Sequence, residues 1–239
     1  MPQLVADLAE LPSGSHAVSF YAAQSEAAEQ AVRFLAGAPK DEPTSFWVTD
    51  PATAEEYNRR LETASPDHVG CVVAIDHEQV ERVDGRLRPC AEVRAFLREH
   101  PGSITAGGDT LSQYMVPGTV PEHLEYESWF QEQPRRGSRF VCPYDLRRIP
   151  PAMAPSVLKE LGKQHSHVKL SSSPEPAVRL LQLFIFGSEA EVPVLLQDDL
   201  EAARERGWVA RDSPRAPLAL TGAGREIVRE WGERTTVNW

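Results

Sequence analysis

Between residues 15 and 170, short apolar runs that favour β-strands alternate with longer stretches whose apolar residues recur at helical spacing. The stretches between the runs are too long for hairpins, so consecutive strands have to run parallel with a helix between them. A parallel sheet needs cover on both faces. The alternation therefore predicts an α/β fold with a mainly parallel sheet and helices on both faces. The predicted strands are residues 17–21, 45–49, 68–75, 103–106, 139–142 and 167–170, of which 68–75 reads as a strand buried on both faces.

Residues 171–176 are polar and contain two prolines, which is typical of a linker. The stretch after them predicts a helix over 176–186, a helix from 193 to 207, a hairpin with its turn at Ser213-Pro214, and a last helix capped by Thr221. This order resembles a small winged-helix unit, and the run from Leu220 to Val228 looks like the L-T-x-x-G-R motif of winged-helix regulators. We therefore predict an α/β domain over 1–170, a linker over 171–176 and a winged-helix-like domain over 177–239.

The 239 residues include 25 basic and 35 acidic side chains, a formal net charge of −10. An acidic surface repels phosphate backbones, so general binding to nucleic acids is disfavoured. The chain has no apolar run long enough for a membrane span and no signal-peptide pattern at its start, so we expect a cytoplasmic protein without a membrane partner. Its three widely spaced cysteines predict neither a disulfide framework nor a paired-cysteine metal site.

Ligands of parallel α/β sheets bind outside the carboxyl ends of the strands, where loops converge. The first of these loops, residues 21–25, has neither the glycines nor the lysine that a phosphate-binding loop requires. ATP turnover is therefore not expected. The loops to which a ligand site is assigned on this ground are 21–25, 49–50, 76–77, 107–109 and 143–145.

Two further patterns carry possible chemistry. His165 and His167 could place two imidazoles on one side of a strand for a metal ion, with a third ligand from Cys142, Asp145 or His16. Cys142 could instead act as a nucleophile, although a cysteine that closes an apolar strand is most often a small buried hydrophobe. The pairs Tyr126-Glu127 and Tyr144-Asp145 could line a pocket in which tyrosines cover the apolar part of a ligand and acids orient it.

Several of these residues follow the order and approximate spacing of a known sensory domain. The matching segments are H-A-V-S-F-Y from His16 to Tyr21, Gly108-Asp109, Tyr126-Glu127, C-P-Y-D from Cys142 to Asp145, and His165 followed by Val168. They resemble the MEDS domain, the methanogen/methylotroph sensory domain of a dichloromethane-responsive repressor, over about residues 12 to 170. The family has Glu where this chain has Asp109.

The resemblance implies a RecA-like α/β domain that lacks a phosphate loop and senses small molecules, some of them hydrocarbon-derived. It also implies a set of ligand-binding candidates: His16, Tyr21, Asp109, Tyr126, Glu127, Cys142, Tyr144, Asp145 and His165.

We therefore expect a regulator, not an enzyme, that binds an unidentified small molecule and signals through a protein partner or a homodimer. We assign no catalytic residue, no metal and no cofactor. Two alternatives stay open: a DNA-binding transcriptional regulator, although the helix around residues 195–205 is acidic, and a cysteine- or metal-dependent enzyme.

Overall fold

The computed structural model describes residues 2–75, 81–83, 85–109, 120–131, 137–210 and 216–235. Seven of the described strands form one sheet in which every neighbouring pair is parallel. These strands are β1 (Gln3–Leu4), β2 (His16–Tyr21), β3 (Thr44–Val48), β4 (Val72–Ala74), β7 (Thr105–Gly108), β8 (Arg139–Asp145) and β9 (His167–Lys169), and their order across the sheet is β1-β9-β2-β8-β7-β3-β4. Two antiparallel pairs lie outside it: β5 (Glu81–Val83) with β6 (Arg86–Arg88), and β10 (Val209–Ala210) with β11 (Ala219–Leu220).

Eight α-helices lie in the described part of the chain. They are α1 (Gln24–Ala36), α2 (Pro51–Ala64), α3 (Ala91–Glu99), α4 (Val120–Gln131), α5 (Ala154–Gln164), α6 (Pro176–Leu183), α7 (Gln197–Glu205) and α8 (Gly222–Thr235). None of these helices combines the length and the apolar composition that a membrane crossing requires.

The sheet is covered on both faces because successive side chains of a strand point in opposite directions. In β3, Phe46 and Val48 pack with the apolar side chains of α1 and α2, whereas Trp47 packs on the other side with those of α3. Strand β8 divides in the same way, with Val141 facing α1 and α2 and Phe140 facing α3 and α4. The predicted α/β fold, a parallel sheet with helices on both faces, is confirmed.

Two details of the predicted sheet are wrong. The run 68–75 does not form a strand buried on both faces, because β4 covers only Val72–Ala74, lies at the edge of the sheet and leaves Val73 43% exposed. His68 belongs to a short 3-10 turn instead. At the opposite edge, Gln3–Leu4 adds a strand beside β9 that the sequence pattern did not indicate.

One predicted helix start is also different. Helix α1 begins after Ala23, not at a Ser25 cap, and no side chain caps it at that residue. The Glu26 carboxylate in its first turn accepts a hydrogen bond from the Ala22 backbone N–H at 2.9 Å instead. Helix α2 starts as predicted, since the Asp50 carboxylate accepts from the Thr53 N–H at 2.8 Å and Pro51 occupies the first helical position.

The C-terminal region has the predicted order of helix, helix, strand pair and helix. Its core is continuous with that of the sheet: Phe184 and Trp231 belong to the same cluster of buried apolar residues as Val18 and Phe20. The predicted linker between the sheet and this region is hydrogen-bonded to α1. The Glu26 carboxylate accepts hydrogen bonds from the backbone and hydroxyl groups of residues 171–172. The winged-helix character of this region and the division into domains stay predictions, and the turn at Ser213-Pro214 lies outside the described residues.

Helix α5 approaches the C-terminal region so closely that only a glycine fits at the contact. A Cβ atom on Gly162 would lie 2.5 Å from the backbone oxygen of Ile185, well inside van der Waals contact. We therefore expect Gly162→Ala to force the two segments apart and to lower the free energy of unfolding by about 1 to 3 kcal/mol.

The matched control is Gly222→Ala, at the exposed start of α8, where the added methyl group meets no atom within 4 Å. Alanine is the better helix former, so this variant is expected to keep its stability or gain up to about 1 kcal/mol. Urea denaturation of both variants measures the difference. Equal free energies of unfolding would show that the contact at Ile185 is not tight.

Candidate functional site

Four of the nine candidate residues meet in one group, which we call the polar cluster: His16, Glu127, Cys142 and His165. Glu127 and His165 are buried, and His16 and Cys142 are half-buried. One nitrogen, oxygen or sulfur atom from each lies within 4.8 Å of those of the other three. His16 Nε2 is 3.2 Å from Cys142 Sγ and 3.7 Å from Glu127 Oε2, and His165 Nε2 is 3.5 Å from the same Glu127 oxygen. The two imidazole rings have their centroids 4.2 Å apart.

The register of two central strands brings half of the cluster together. In the parallel pair of β2 and β8, His16 lies opposite Phe140 and Val18 opposite Cys142. Side chains two positions apart share a face, so His16 and Cys142 both point toward the side covered by α4 and α5. This places the cluster on a face of the sheet, one strand length away from the carboxyl ends where Tyr21 and Asp145 pair.

Helices α4 and α5 supply the other half. Glu127 projects from α4, and His165 follows the last turn of α5. The two helices are joined by the Gln164 side-chain amide, which donates to the Leu124 backbone oxygen at 3.0 Å and to the Ser128 hydroxyl at 3.2 Å. The following segment is held to β2, where the Ser166 N–H donates to the His16 backbone oxygen at 2.8 Å.

Neighbouring hydrogen bonds orient the cluster. The Tyr144 hydroxyl donates to Glu127 Oε1, which turns the second carboxylate oxygen, Oε2, toward the histidines. His165 Nδ1 lies 2.7 Å from the Leu161 backbone oxygen, and because a carbonyl only accepts, Nδ1 carries the proton of this bond. Three buried atoms of the cluster, His16 Nδ1, Glu127 Oε2 and His165 Nε2, have no hydrogen-bond partner among the described residues.

The electrostatics follow from burial. Desolvation, reinforced by the charge of His165, lowers the pKa of His16 from 6.5 to about 3, so this imidazole is neutral at pH 7. Desolvation alone would raise the pKa of Glu127, but the contact with His165 and the charge of that ring outweigh it and bring the pKa down to about 2. The carboxylate is therefore ionised. Burial and this negative charge raise the pKa values of the Cys142 thiol and the Tyr144 hydroxyl well above their ordinary range.

A small cavity of about 30 Å³ adjoins the polar cluster. Its polar end is formed by Glu127, Cys142 and Tyr144, while most of the remaining wall is aromatic or aliphatic and includes Tyr126. With Tyr126 and Tyr144, six of the nine candidate residues lie on this side of the sheet. A water molecule needs roughly 10 to 15 Å³ in this measure, so the cavity has room for about two or three water-sized groups. The other lining residues are Trp47, Val93, Gly107, Gly108, Phe130, Phe140, Val141 and Pro143.

The remaining three candidates, Tyr21, Asp109 and Asp145, line a separate open cleft of about 390 Å³ at the carboxyl ends of the strands. The Asp145 carboxylate is occupied by Arg147, whose Nη2 donates to it at 2.6 Å. Burial raises the pKa of Asp109 from 3.8 to about 7. The cleft lies where α/β ligands are expected, but it is wide and polar. Three of its other lining residues, Gln24, Thr49 and Asp50, belong to the predicted ligand loops 21–25 and 49–50. Sequence reasoning did not single out the rest, Val48, Thr53 and Arg148, as ligand residues.

The predicted candidates thus divide between two places instead of forming one pocket. The suggested pairing of His165 with His167 on one strand face does not occur, because β9 begins at His167 and His165 belongs to the end of α5. His167 contacts the neighbouring Ser166 hydroxyl instead. Two of the third ligands considered for His165, His16 and Cys142, do lie beside it. Glu127 is the member of the cluster that the metal hypothesis did not include.

Comparison with known proteins assigns the chain neither a family nor a function. No protein-family model matches the chain, and no curated protein matches it significantly. A solved structure from Pyrococcus horikoshii OT3, described as the subject of a structural study, superposes with a TM-score of 0.46 and 12% sequence identity, over 69% of this chain and 84% of that one. A likeness at this level carries no argument about function.

The raised pKa of Cys142 makes a direct prediction about thiol chemistry. At pH 8, in the presence of a metal chelator, the native thiol is protonated, since burial and the Glu127 carboxylate both disfavour the thiolate. We expect iodoacetamide to modify Cys142 at least about 10-fold more slowly in the native chain than in the urea-unfolded chain, where the pKa returns to roughly 8.5. Site-resolved mass spectrometry measures both rates.

The variant Glu127→Gln serves as the comparison, because it removes the negative charge while the thiol stays buried. Its native Cys142 is expected to react faster than that of the original chain. Native labelling as fast as labelling of the unfolded chain would instead indicate a reactive thiolate and favour the cysteine-dependent enzyme.

Proposed function

We propose that this chain is a cytoplasmic regulatory protein that binds a small molecule beside the polar cluster and passes its binding state to the C-terminal region, which acts through protein contact. The observation that carries the proposal is a small, mostly apolar cavity whose polar end is formed by Glu127, Cys142 and Tyr144. The resemblance to the MEDS sensory domain supports the same reading.

The cavity and the cluster together define what the ligand has to supply. The polar end, formed by Glu127, Cys142 and Tyr144, can hydrogen-bond one polar group of the ligand, and such a bond contributes about 0.5 to 1.5 kcal/mol. The aromatic and aliphatic walls favour an apolar remainder. The volume limits the ligand to a few non-hydrogen atoms. A small neutral molecule with one polar group has these properties.

Helix α5 contacts both the cluster and the C-terminal region. His165 caps the end of α5, and Gly162, one turn earlier, rests against the backbone of Ile185. A ligand changes the C-terminal region only if it binds one of two conformations of the protein more tightly than the other. Here the two conformations would differ in the position of α5 against residues Phe184–Phe186, and the ligand would favour one of them through His165.

The surface of the C-terminal region favours a protein partner over DNA. Helix α7 carries Asp198, Asp199, Glu201 and Glu205 against one arginine, Arg204. Arg204 is itself ion-paired with Glu189. Directly before this helix, Val194 and Leu195 are 89% and 73% exposed, which suits an apolar contact between proteins.

A thermal-shift panel of neutral molecules with two to four non-hydrogen atoms tests the binding step. The panel includes short alcohols, thiols and halogenated methanes. Val93→Ile adds a methyl group to the cavity wall, whereas Val32→Ile adds the same group on α1, at the opposite face of the sheet. At least one compound is expected to raise the melting temperature of the original chain and of Val32→Ile but not of Val93→Ile.

Two results would refute this binding site. In one, no compound raises the melting temperature of the original chain. In the other, a compound stabilises Val93→Ile as much as Val32→Ile, which would place its site elsewhere.

Titration with double-stranded DNA tests whether the C-terminal region acts through protein contact or through DNA binding. The acidic residues of α7 would face the phosphates, so we expect no duplex binding tighter than about 10 μM at physiological salt, which is within the range of non-specific contact. Fluorescence anisotropy with a random-sequence pool at two salt concentrations makes the measurement. Tight, strongly salt-sensitive binding would favour the DNA-binding regulator.

A further inference from the structure

The geometry points to a binding site for one divalent metal ion of borderline softness, Zn²⁺ or Co²⁺, whose ligands are His16 Nε2, Glu127 Oε2, Cys142 Sγ and His165 Nε2. The sequence patterns alone did not lead us to assign a metal. The inference goes beyond the proposed function, since the ion can bind whether or not the C-terminal region relays a signal.

Three of the six distances between the ligand atoms are close to those of a tetrahedral site, and the other three are at most 4.8 Å. Zinc bonds of 2.0 to 2.3 Å at tetrahedral angles separate neighbouring ligand atoms by about 3.3 to 3.8 Å. The distances from His16 Nε2 to Cys142 Sγ and to Glu127 Oε2 are 3.2 and 3.7 Å, and that from Glu127 Oε2 to His165 Nε2 is 3.5 Å. Small shifts of these side chains therefore suffice to surround an ion.

The orientation of His165 supplies a second, independent observation. Because Nδ1 donates its proton to the Leu161 oxygen, Nε2 is the ring nitrogen that is directed into the cluster and can bind an ion. It lies 3.5 Å from the carboxylate oxygen Glu127 Oε2, and both atoms are buried without a hydrogen-bond partner among the described residues. An ion bound between these two atoms would give both of them a partner.

The surrounding hydrogen bonds are those that metal sites use to hold their ligands. A metal-bound histidine commonly donates its other N–H to a backbone carbonyl, as His165 does to Leu161, and ligating carboxylates are themselves hydrogen-bonded, as Glu127 is by Tyr144. These bonds fix the His165 ring and the Glu127 carboxylate before the ion arrives.

The ligand set selects the metal. Two imidazoles and one thiolate suit zinc or cobalt, whereas Mg²⁺ and Ca²⁺ prefer oxygen ligands only. On binding, the Cys142 thiol loses its proton to the buffer and its sulfur bonds to the ion. A doubly charged cation with one thiolate, one carboxylate and two neutral imidazoles leaves the buried site without net charge, which limits the cost of burial.

Cobalt titration of the chelator-stripped full-length chain tests the inference. One equivalent of Co²⁺ is expected to give visible bands of a four-coordinate ion and a thiolate-to-cobalt charge-transfer band in the near ultraviolet. Excess Mg²⁺ leaves these bands unchanged, and one equivalent of Zn²⁺ abolishes them. Cys142→Ser removes the charge-transfer band, and His165→Gln weakens zinc binding by about 100-fold or more.

The matched control is His167→Gln, which removes a histidine only two positions away and outside the cluster; it is expected to bind zinc like the original chain. If the cluster variants do not fold, X-ray absorption of the zinc-loaded original chain decides, with one sulfur and three nitrogen or oxygen neighbours expected. Zinc binding that is absent, lacks sulfur, or is lost equally in His167→Gln overturns the inference. The small-molecule panel is a separate measurement, so failure of one proposal is distinguishable from failure of the other.

Discussion

The burial of one carboxylate governs the chemistry of this protein. Glu127 is 1% exposed, and its ionised form is retained among two imidazoles, a thiol and a phenol. Removing an ion from water costs several kcal/mol, and the cost is recovered only where hydrogen bonds or an opposite charge replace the solvent. Tyr144 replaces it at one oxygen. The other oxygen faces the histidines, and what lies there determines whether the cluster is a structural ion pair or a binding site.

The position of the cluster separates this chain from the usual plan of a parallel α/β protein. Ligands of such folds lie at the carboxyl ends of the strands, and the cleft of Tyr21 and Asp145 occupies that place here. The polar cluster lies instead on the face between β2, β8, α4 and α5. Helix α5 also carries Gly162, which lies against the backbone of Ile185. The same helix therefore contacts both the polar cluster and the C-terminal region.

Most of the fold could be predicted from the sequence because periodicity reports which side chains are buried. Phe46 and Trp47 show the limit of this signal: both are buried, and alternation predicts opposite faces without naming the neighbours. The prediction of a strand buried on both faces was wrong for Val72–Ala74, because an edge strand with an apolar run has the same sequence pattern as a central strand. Residues 3–4 carry too short a pattern to reveal a strand that exists only through its pairing with β9.

The candidate site was predictable residue by residue but not as a group. His16, Glu127, Cys142 and His165 were all marked by the resemblance, yet their meeting depends on the register of β2 with β8 and on the packing of α4 against α5. Neither the strand register nor the helix packing can be predicted from a local stretch of sequence. Spacing alone predicts that His165 and His167 bind a metal ion together. The structure separates them, because α5 ends at residue 164 and His167 belongs to the next strand.

Anomalous diffraction at the zinc absorption edge, on crystals of the zinc-loaded full-length chain, tests the central claim most directly. We expect one anomalous peak enclosed by His16, Glu127, Cys142 and His165, at bonding distance from all four ligand atoms. A map without a peak there, with Glu127 Oε2 hydrogen-bonded directly to His165 Nε2, would show that the cluster is an ion pair that stabilises the fold and binds no metal.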